Sequence, residues 1–261
     1  MKICVCVKHV PDPNFPMVVD PASKRLQRDA AQSILDPADE YGVETALKLV
    51  EEHGGEVVAI TMGPAASDDA LRRAMAMGVE RVIQVTDDAL AGSDALGTAR
   101  VLAETIRSEN PDLVITAIES TDSYSGMVPG ALAELLGLPQ VTFARSAEVS
   151  GNTLRVTRDI ETGRQTLEVT LPALLSVTAS IAEPRYPSFR GLMQAKRKPV
   201  DLKALSDLGI DPSTVGEAGA KERVLSIEKD VQEKQGRKIE DDGSGDSVDQ
   251  IIAYLKEIQV V

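Results

Sequence analysis

The first 140 residues alternate between two hydrophobic periods, and this alternation constrains the fold more than any other feature of the chain. Short runs rich in Val and Ile stand at Ile3–Val10, Glu56–Met62, Arg81–Val85 and Leu113–Ala117, with the length and β-branched content of buried strands. Segments of helical spacing lie between them. Asp36-Pro37 offers an N-cap followed by proline at the first helical position; Val43, Ala46, Leu47 and Val50 follow at i, i+3, i+4 and i+7, and Gly54-Gly55 closes the helix. Ser67, Asp68 and Asp69 open a second helix, where first-turn carboxylates complement the helix dipole, and Gly78 ends it. A third helix is predicted from Asp94 to Arg107, before Asn110-Pro111, and a fourth over Gly130–Leu136, stopped by Gly137. Strand–helix–strand alternation predicts an α/β fold: a mostly parallel twisted sheet with helices on both faces.

The texture changes at Leu154. Leu154–Arg158, a turn at Glu161-Thr162-Gly163, Thr166–Leu171 and Ala173–Thr178 read as a β-hairpin feeding another strand, added to the edge of the same sheet. Arg185 to Lys198 is basic. From about Lys203 to Asp246 the chain is polar, rich in charge, Gly and Ser, with no apolar periodicity of its own. It then ends in a helix whose stripe is Val248, Ile251, Ile252 and Leu255. The expected organisation is an α/β domain over residues 1–200 and a C-terminal arm over 201–261, whose terminal helix packs on a partner subunit.

Several function classes are disfavoured. The net charge of −13 and the lack of Trp argue against a nucleic-acid surface. The start, Met1 to Val7, reads as a strand rather than a signal peptide, and no run approaches the apolar length of a membrane span, so a cytoplasmic protein without membrane insertion is expected. Cys4 and Cys6 share a strand face and read as small buried hydrophobes in a reducing compartment. His9 and His53 are too few for a zinc or catalytic constellation. No G-x-G-x-x-G, Walker A or G-x-S-x-G pattern is present. No catalytic residue is assigned.

The stretch Val156-Thr157-Arg158-Asp159-Ile160-Glu161-Thr162-Gly163-Arg164-Gln165-Thr166-Leu167, followed by Leu171-Pro172-Ala173-Leu174-Leu175-Ser176, resembles the signature segment of electron transfer flavoprotein β subunits. Thr162 departs from it, standing where an acidic residue or Gly is usual. Val5-Cys6-Val7-Lys8-His9-Val10-Pro11-Asp12, Met62-Gly63-Pro64 with Leu71–Met77-Gly78, and Leu138–Phe143 are similar to further segments of that family. So is Glu183-Pro184-Arg185-Tyr186 with Met193-Gln194-Ala195-Lys196-Arg197-Lys198, and together the matches cover most of residues 1–200.

The resemblance implies a Rossmann-like adenine-nucleotide-binding domain and a heterodimer with an α subunit that holds most of a shared FAD. It implies an electron carrier, not an enzyme. Such a carrier takes electrons from acyl-CoA and related flavoprotein dehydrogenases, as in fatty acid β-oxidation, and passes them to a quinone-reducing acceptor. The implied structural AMP site takes in Cys6, the helix start Asp36, Pro37, Ala38 and Asp39, then Met62 and the loop Ala117, Ile118, Glu119, Ser120, Thr121, Asp122, Ser123, Tyr124, Ser125, Gly126, Met127 and Val128. That loop lacks the basic residue usual in the family. The segment Thr86–Asp94 is similar to that of electron-bifurcating, nitrogen-fixation-type relatives, which hold a second FAD in the same site and use NADH as donor, so AMP and a second FAD both stay open. Pro184, Arg185, Tyr186, Phe189, Arg190, Met193 and Lys196 match the loop by which the family docks dehydrogenases, with Phe189 as its apolar plug.

Overall fold

The computed structural model describes residues 1–28, 32–228, 236–241 and 243–260. Its first elements are β1 (Lys2–Cys6), β2 (His9–Pro11), β3 (Val19–Asp20), β4 (Arg25–Leu26), β5 (Ser33–Leu35), α1 (Pro37–His53) and β6 (Glu56–Met62). There follow α2 (Asp68–Met77), β7 (Arg81–Val85), α3 (Ala95–Glu109), β8 (Leu113–Ala117) and α4 (Val128–Leu136). The next strands are β9 (Gln140–Ser150), β10 (Thr153–Ile160), β11 (Gly163–Thr170) and β12 (Ala173–Val177). The chain closes with α5 (Phe189–Ala195), β13 (Asp201–Lys203), α6 (Gly216–Gly219) and α7 (Asp246–Glu257).

Each expected helix forms where its caps are written. The Asp36 carboxylate accepts the Ala38 N–H at the start of α1, Asp94 accepts the Gly97 N–H at the start of α3, and Gly78 and Gly137 end α2 and α4. Nine of the strands assemble into one sheet in the order β11-β10-β9-β12-β8-β1-β6-β7-β13, and β2 with β5 and β3 with β4 form separate two-stranded sheets. Within the nine-stranded sheet pairing is parallel from β9 through β12, β8, β1, β6 and β7 to β13, and antiparallel only at β9–β10 and β10–β11.

Side chains alternate across a strand, so each central strand feeds two cores. Ile3 and Val5 of β1 pack with Val43, Leu47, Leu71 and Met75 of α1 and α2 on one face. Cys4 and Cys6 pack with Ala99, Leu102, Leu132 and Ala133 of α3 and α4 on the other. The expected α/β fold, a mostly parallel sheet with helices on both faces, is the observed one.

Two strands of this sheet escape the sequence pattern, as do the short β3, β4 and β5 outside it. β9 turns the expected hairpin into a three-stranded antiparallel extension. Only Val141 and Ala144 of its eleven residues are buried, so it carries no apolar run and owes its order to pairing on both sides. β13 lies inside the segment expected to be an arm: Asp201, Leu202 and Lys203 extend the sheet beside Ile83, Gln84 and Val85. Leu205 and Val215 are buried with Val85, Leu90 and Val101. Residues 201–227 therefore pack with the sheet, and the compact unit runs from Met1 to Ile227 rather than ending at 200. The second unit, Glu228–Val261, contains α7, on which Val248, Ile251 and Ile252 are exposed along one stripe. Residues 229–235, 242 and 261 of the expected arm lie outside the described residues.

Among the described residues, no helix is long and apolar enough to cross a membrane.

Candidate functional site

From β1 the chain runs through α1 to β6 and through α2 to β7 on one side, and α3 then returns it to β8 on the opposite side of β1. The loops leaving β1 and β8 diverge at this switch point, which is where open parallel sheets leave a crevice at their carboxyl ends. A cleft of about 630 Å3 lies there.

Of the residues expected at a nucleotide site, Cys6, Asp39, Met62, Ala117, Ile118, Glu119, Ser120, Ser123, Ser125, Gly126 and Val128 line this cleft. Asp36, Pro37, Ala38, Thr121, Asp122, Tyr124 and Met127 do not. Asp36 and Asp122 instead hold the walls in place. Asp36 is fully buried, and its carboxylate accepts the Thr121 N–H at 2.8 Å as well as the Ala38 N–H at 2.9 Å, tying the β8 loop to the start of α1. Asp39 Oδ2 accepts the Lys8 N–H at 2.7 Å. Burial, and then the nearby Asp36 charge, push the Asp39 carboxyl well above the usual carboxylate range.

Asp122 is the anchor of the loop. Its Oδ1 accepts from Lys8 Nζ at 2.6 Å and from Ser120 Oγ at 2.8 Å, and its Oδ2 accepts from Arg28 Nη2 at 2.7 Å and Nε at 3.0 Å. Burial alone raises its pKa, but the two cations outweigh that and bring it down to about 2. Lys8 and Arg28 both line the cleft. They place positive charge beside a loop that has no basic residue of its own. Tyr124 and Gly126 both take positive φ, which bends the loop before α4.

Sequence reasoning missed the remaining wall. Val7, Lys8, His9, Gly63, Pro64, Ser67, Ser93, Asp94, Thr98 and Thr116 also line the cleft, as do Glu222 and Val224 from the segment after α6. That segment is held by Lys221 N–H donating to Asp94 Oδ2 at 2.6 Å and Gly216 N–H donating to Ser93 Oγ at 2.9 Å. The N-termini of α3 and α4 open onto the cleft through Ala95 and through Val128 and Pro129, so their backbone dipoles favour an anion there. Two buried polar atoms of the lining, His9 Nε2 and Thr116 Oγ1, have no hydrogen-bond partner among the described residues. Helix N-termini, two cations and unpaired donors and acceptors suit an anionic ligand with polar edges. Burial raises the pKa of Cys4 to about 12 and that of Cys6 further, so neither thiol is an activated nucleophile.

The segment expected to dock dehydrogenases is tethered at both ends. The Arg185 guanidinium pairs with Glu44 at 2.7 Å and with Glu51 at 2.5 Å, both on α1, and Arg72 Nη1 donates to the Ala195 and Lys198 carbonyls at 2.6 Å each. Between these tethers Tyr186 is 93% exposed and Phe189 81% exposed, while Arg190, Met193 and Lys196 also face solvent. Arg185 is thus a brace, not a free cation for steering a partner, and Pro184 is half-buried beside it. Pro37, Pro184 and Tyr186 line a second, open cleft of about 590 Å3 next to α1.

Comparison with known proteins gives one consistent result. Residues 25–208 match the family described as "Electron transfer flavoprotein domain". The chain is 37% identical to "Electron transfer flavoprotein subunit beta" of Mycobacterium tuberculosis (strain ATCC 25618 / H37Rv), over 99% of each chain. It is 33% identical to the protein of that name from Clostridium acetobutylicum, over 98% of each, and 31% identical to that from Bacillus subtilis (strain 168), over 90% of this chain and 89% of the relative. The chain belongs to the electron transfer flavoprotein β-subunit family.

Proposed function

We propose that this chain is the β half of a heterodimeric electron transfer flavoprotein that holds an adenine nucleotide, AMP, in the switch-point cleft. The observation that carries the reading is the cleft itself, where two helix N-termini, Lys8, Arg28 and unpaired polar atoms converge on one crevice. The α subunit holds most of a shared FAD, and FAD supplies the reversible uptake and release of electrons. This chain contributes a wall, the nucleotide site, and the docking loop. It works in the cytoplasm, needs no membrane insertion and binds no nucleic acid.

Each part has a physical task. The Asp122–Lys8–Arg28 cluster and the Asp36–Thr121 bond fix the loop over the nucleotide, so the site is organised before the ligand arrives. The tethered loop presents Phe189 as an apolar anchor for acyl-CoA and related dehydrogenases, and Arg190 and Lys196 raise the encounter rate with an acidic partner surface. The exposed stripe of α7 packs on the α subunit. Electrons leave to a quinone-reducing acceptor.

A second reading has a specific observation behind it. Leu90, Gly92, Ser93 and Asp94, from the segment similar to electron-bifurcating relatives, line the cleft. A second FAD in place of AMP, with NADH as donor, fits that lining. The experiment is to mix the complex with an acyl-CoA dehydrogenase and its substrate, or with NADH alone, and follow flavin absorbance. Bleaching by the dehydrogenase alone supports the carrier. Bleaching of two flavins by NADH supports the bifurcating form, and no response to either refutes both.

A further inference from the structure

His9 opens β2 immediately beyond the carboxyl end of β1, and Thr116 is the penultimate residue of β8, the strand beside β1. The two side chains therefore stand on either side of the switch point, and both line its cleft. Thr116 is only 5% exposed, and its Oγ1 is buried without a partner among the described residues; His9 Nε2 is buried and unpartnered in the same way. A buried donor or acceptor left unpaired costs free energy that a ligand bond can recover. The hydroxyl can donate and accept, and imidazole Nε2 can do either according to its tautomer. The same cleft also has an apolar part to its lining: Cys6 with its protonated thiol, Met62, Leu102 and Val128. Apolar lining together with two unpaired, bifunctional polar atoms matches a heteroaromatic base with its sugar.

The geometry points to His9 and Thr116 as ligand-contacting residues that hydrogen-bond the adenine nucleotide in this cleft. This assignment rests on the nucleotide reading of the cleft, and it adds recognition by two side chains beyond the loop that follows β8.

The test uses the complete heterodimer, depleted of nucleotide and titrated with AMP by calorimetry, with FAD content read separately. His9→Phe and Thr116→Val are each expected to weaken AMP binding about tenfold. His9→Gln, which keeps a nitrogen near the Nε2 position, and Thr116→Ser are expected to recover most of that loss. The melting temperature of the unliganded Thr116→Val complex should not fall, because a valine methyl replaces a hydroxyl that has no partner to lose. Wild-type affinity in both His9→Phe and Thr116→Val would overturn the assignment, as would a lowered melting temperature in Thr116→Val with AMP affinity unchanged. If FAD rather than AMP occupies the cleft, the same losses in FAD retention uphold it. A wild-type complex that takes neither ligand there refutes the nucleotide reading of the cleft, and the assignment with it.

Discussion

Asp122→Asn removes one charge from the centre of the loop that follows β8 while keeping the shape of the side chain. In the native chain the carboxylate is enclosed, and Lys8 and Arg28 hold its pKa at about 2 against the upward push of burial. An unfolded Asp titrates near 3.9, so the group's folded pKa is depressed. The stability it contributes is therefore complete above about pH 4 and is lost as pH falls through about 2. A depression of this size corresponds to about 2.5 kcal/mol, but Lys8 and Arg28 are 38% and 46% exposed. Solvent screening reduces the expected cost of Asp122→Asn to about 1–2 kcal/mol at pH 7. For a unit of this size that lowers Tm by about 3–6 °C. Urea unfolding at pH 7 and pH 3 should give a difference between variant and wild type that is roughly halved at the lower pH. Equal differences at both pH values, or none at pH 7, refute the reasoning.

Three other perturbations follow from the same contacts. Arg185→Met leaves Glu44, whose side chain is 3% exposed, with only the backbone N–H of residue 185 at 3.1 Å and Lys48 Nζ at 3.8 Å, and should cost about 2 kcal/mol in thermal or urea unfolding; wild-type stability contradicts the bracing role. Because Arg185 depresses the Glu51 pKa, that pair's share is present above about pH 4.3 and fades below it, so the variant's deficit should shrink in acid. Phe189→Ala should slow reduction by acyl-CoA dehydrogenase at least about tenfold in stopped-flow mixing while FAD content stays constant, and unchanged kinetics exclude Phe189 as the plug. Ile251→Asp with Ile252→Asp should weaken assembly with the α subunit by about a hundredfold in sedimentation or calorimetry and leave the unfolding of residues 1–227 unchanged; equal affinity rules out α7 as the α-subunit contact.

The parallel centre of the fold was legible because its information is local. Val- and Ile-rich strands, the Asp36-Pro37 start and the glycine stops each act within a few residues. β9 and β13 were not legible, since neither has an apolar run and each is held by its neighbours' backbone. The site divides along the same line. The residues after β8 were assigned through family resemblance, but their order depends on ion pairs spanning long stretches of chain. Asp122 meets Lys8 across 114 positions and Arg28 across 94, and no local pattern encodes such pairings. Arg185 reads as a surface cation until Glu44, 141 positions away, is folded against it. His9 and Thr116 were not assigned to the site for a related reason: only burial distinguishes an unpaired polar atom from a solvated one.

The most direct test of the account is a cofactor count on the heterodimer purified after co-expression with its α subunit, by denaturing release and chromatography. The account predicts one FAD and one AMP per heterodimer. Two FADs without AMP would transfer the cleft to the bifurcating form, and one FAD with no nucleotide of any kind would contradict the claim that the switch-point cleft is a nucleotide site.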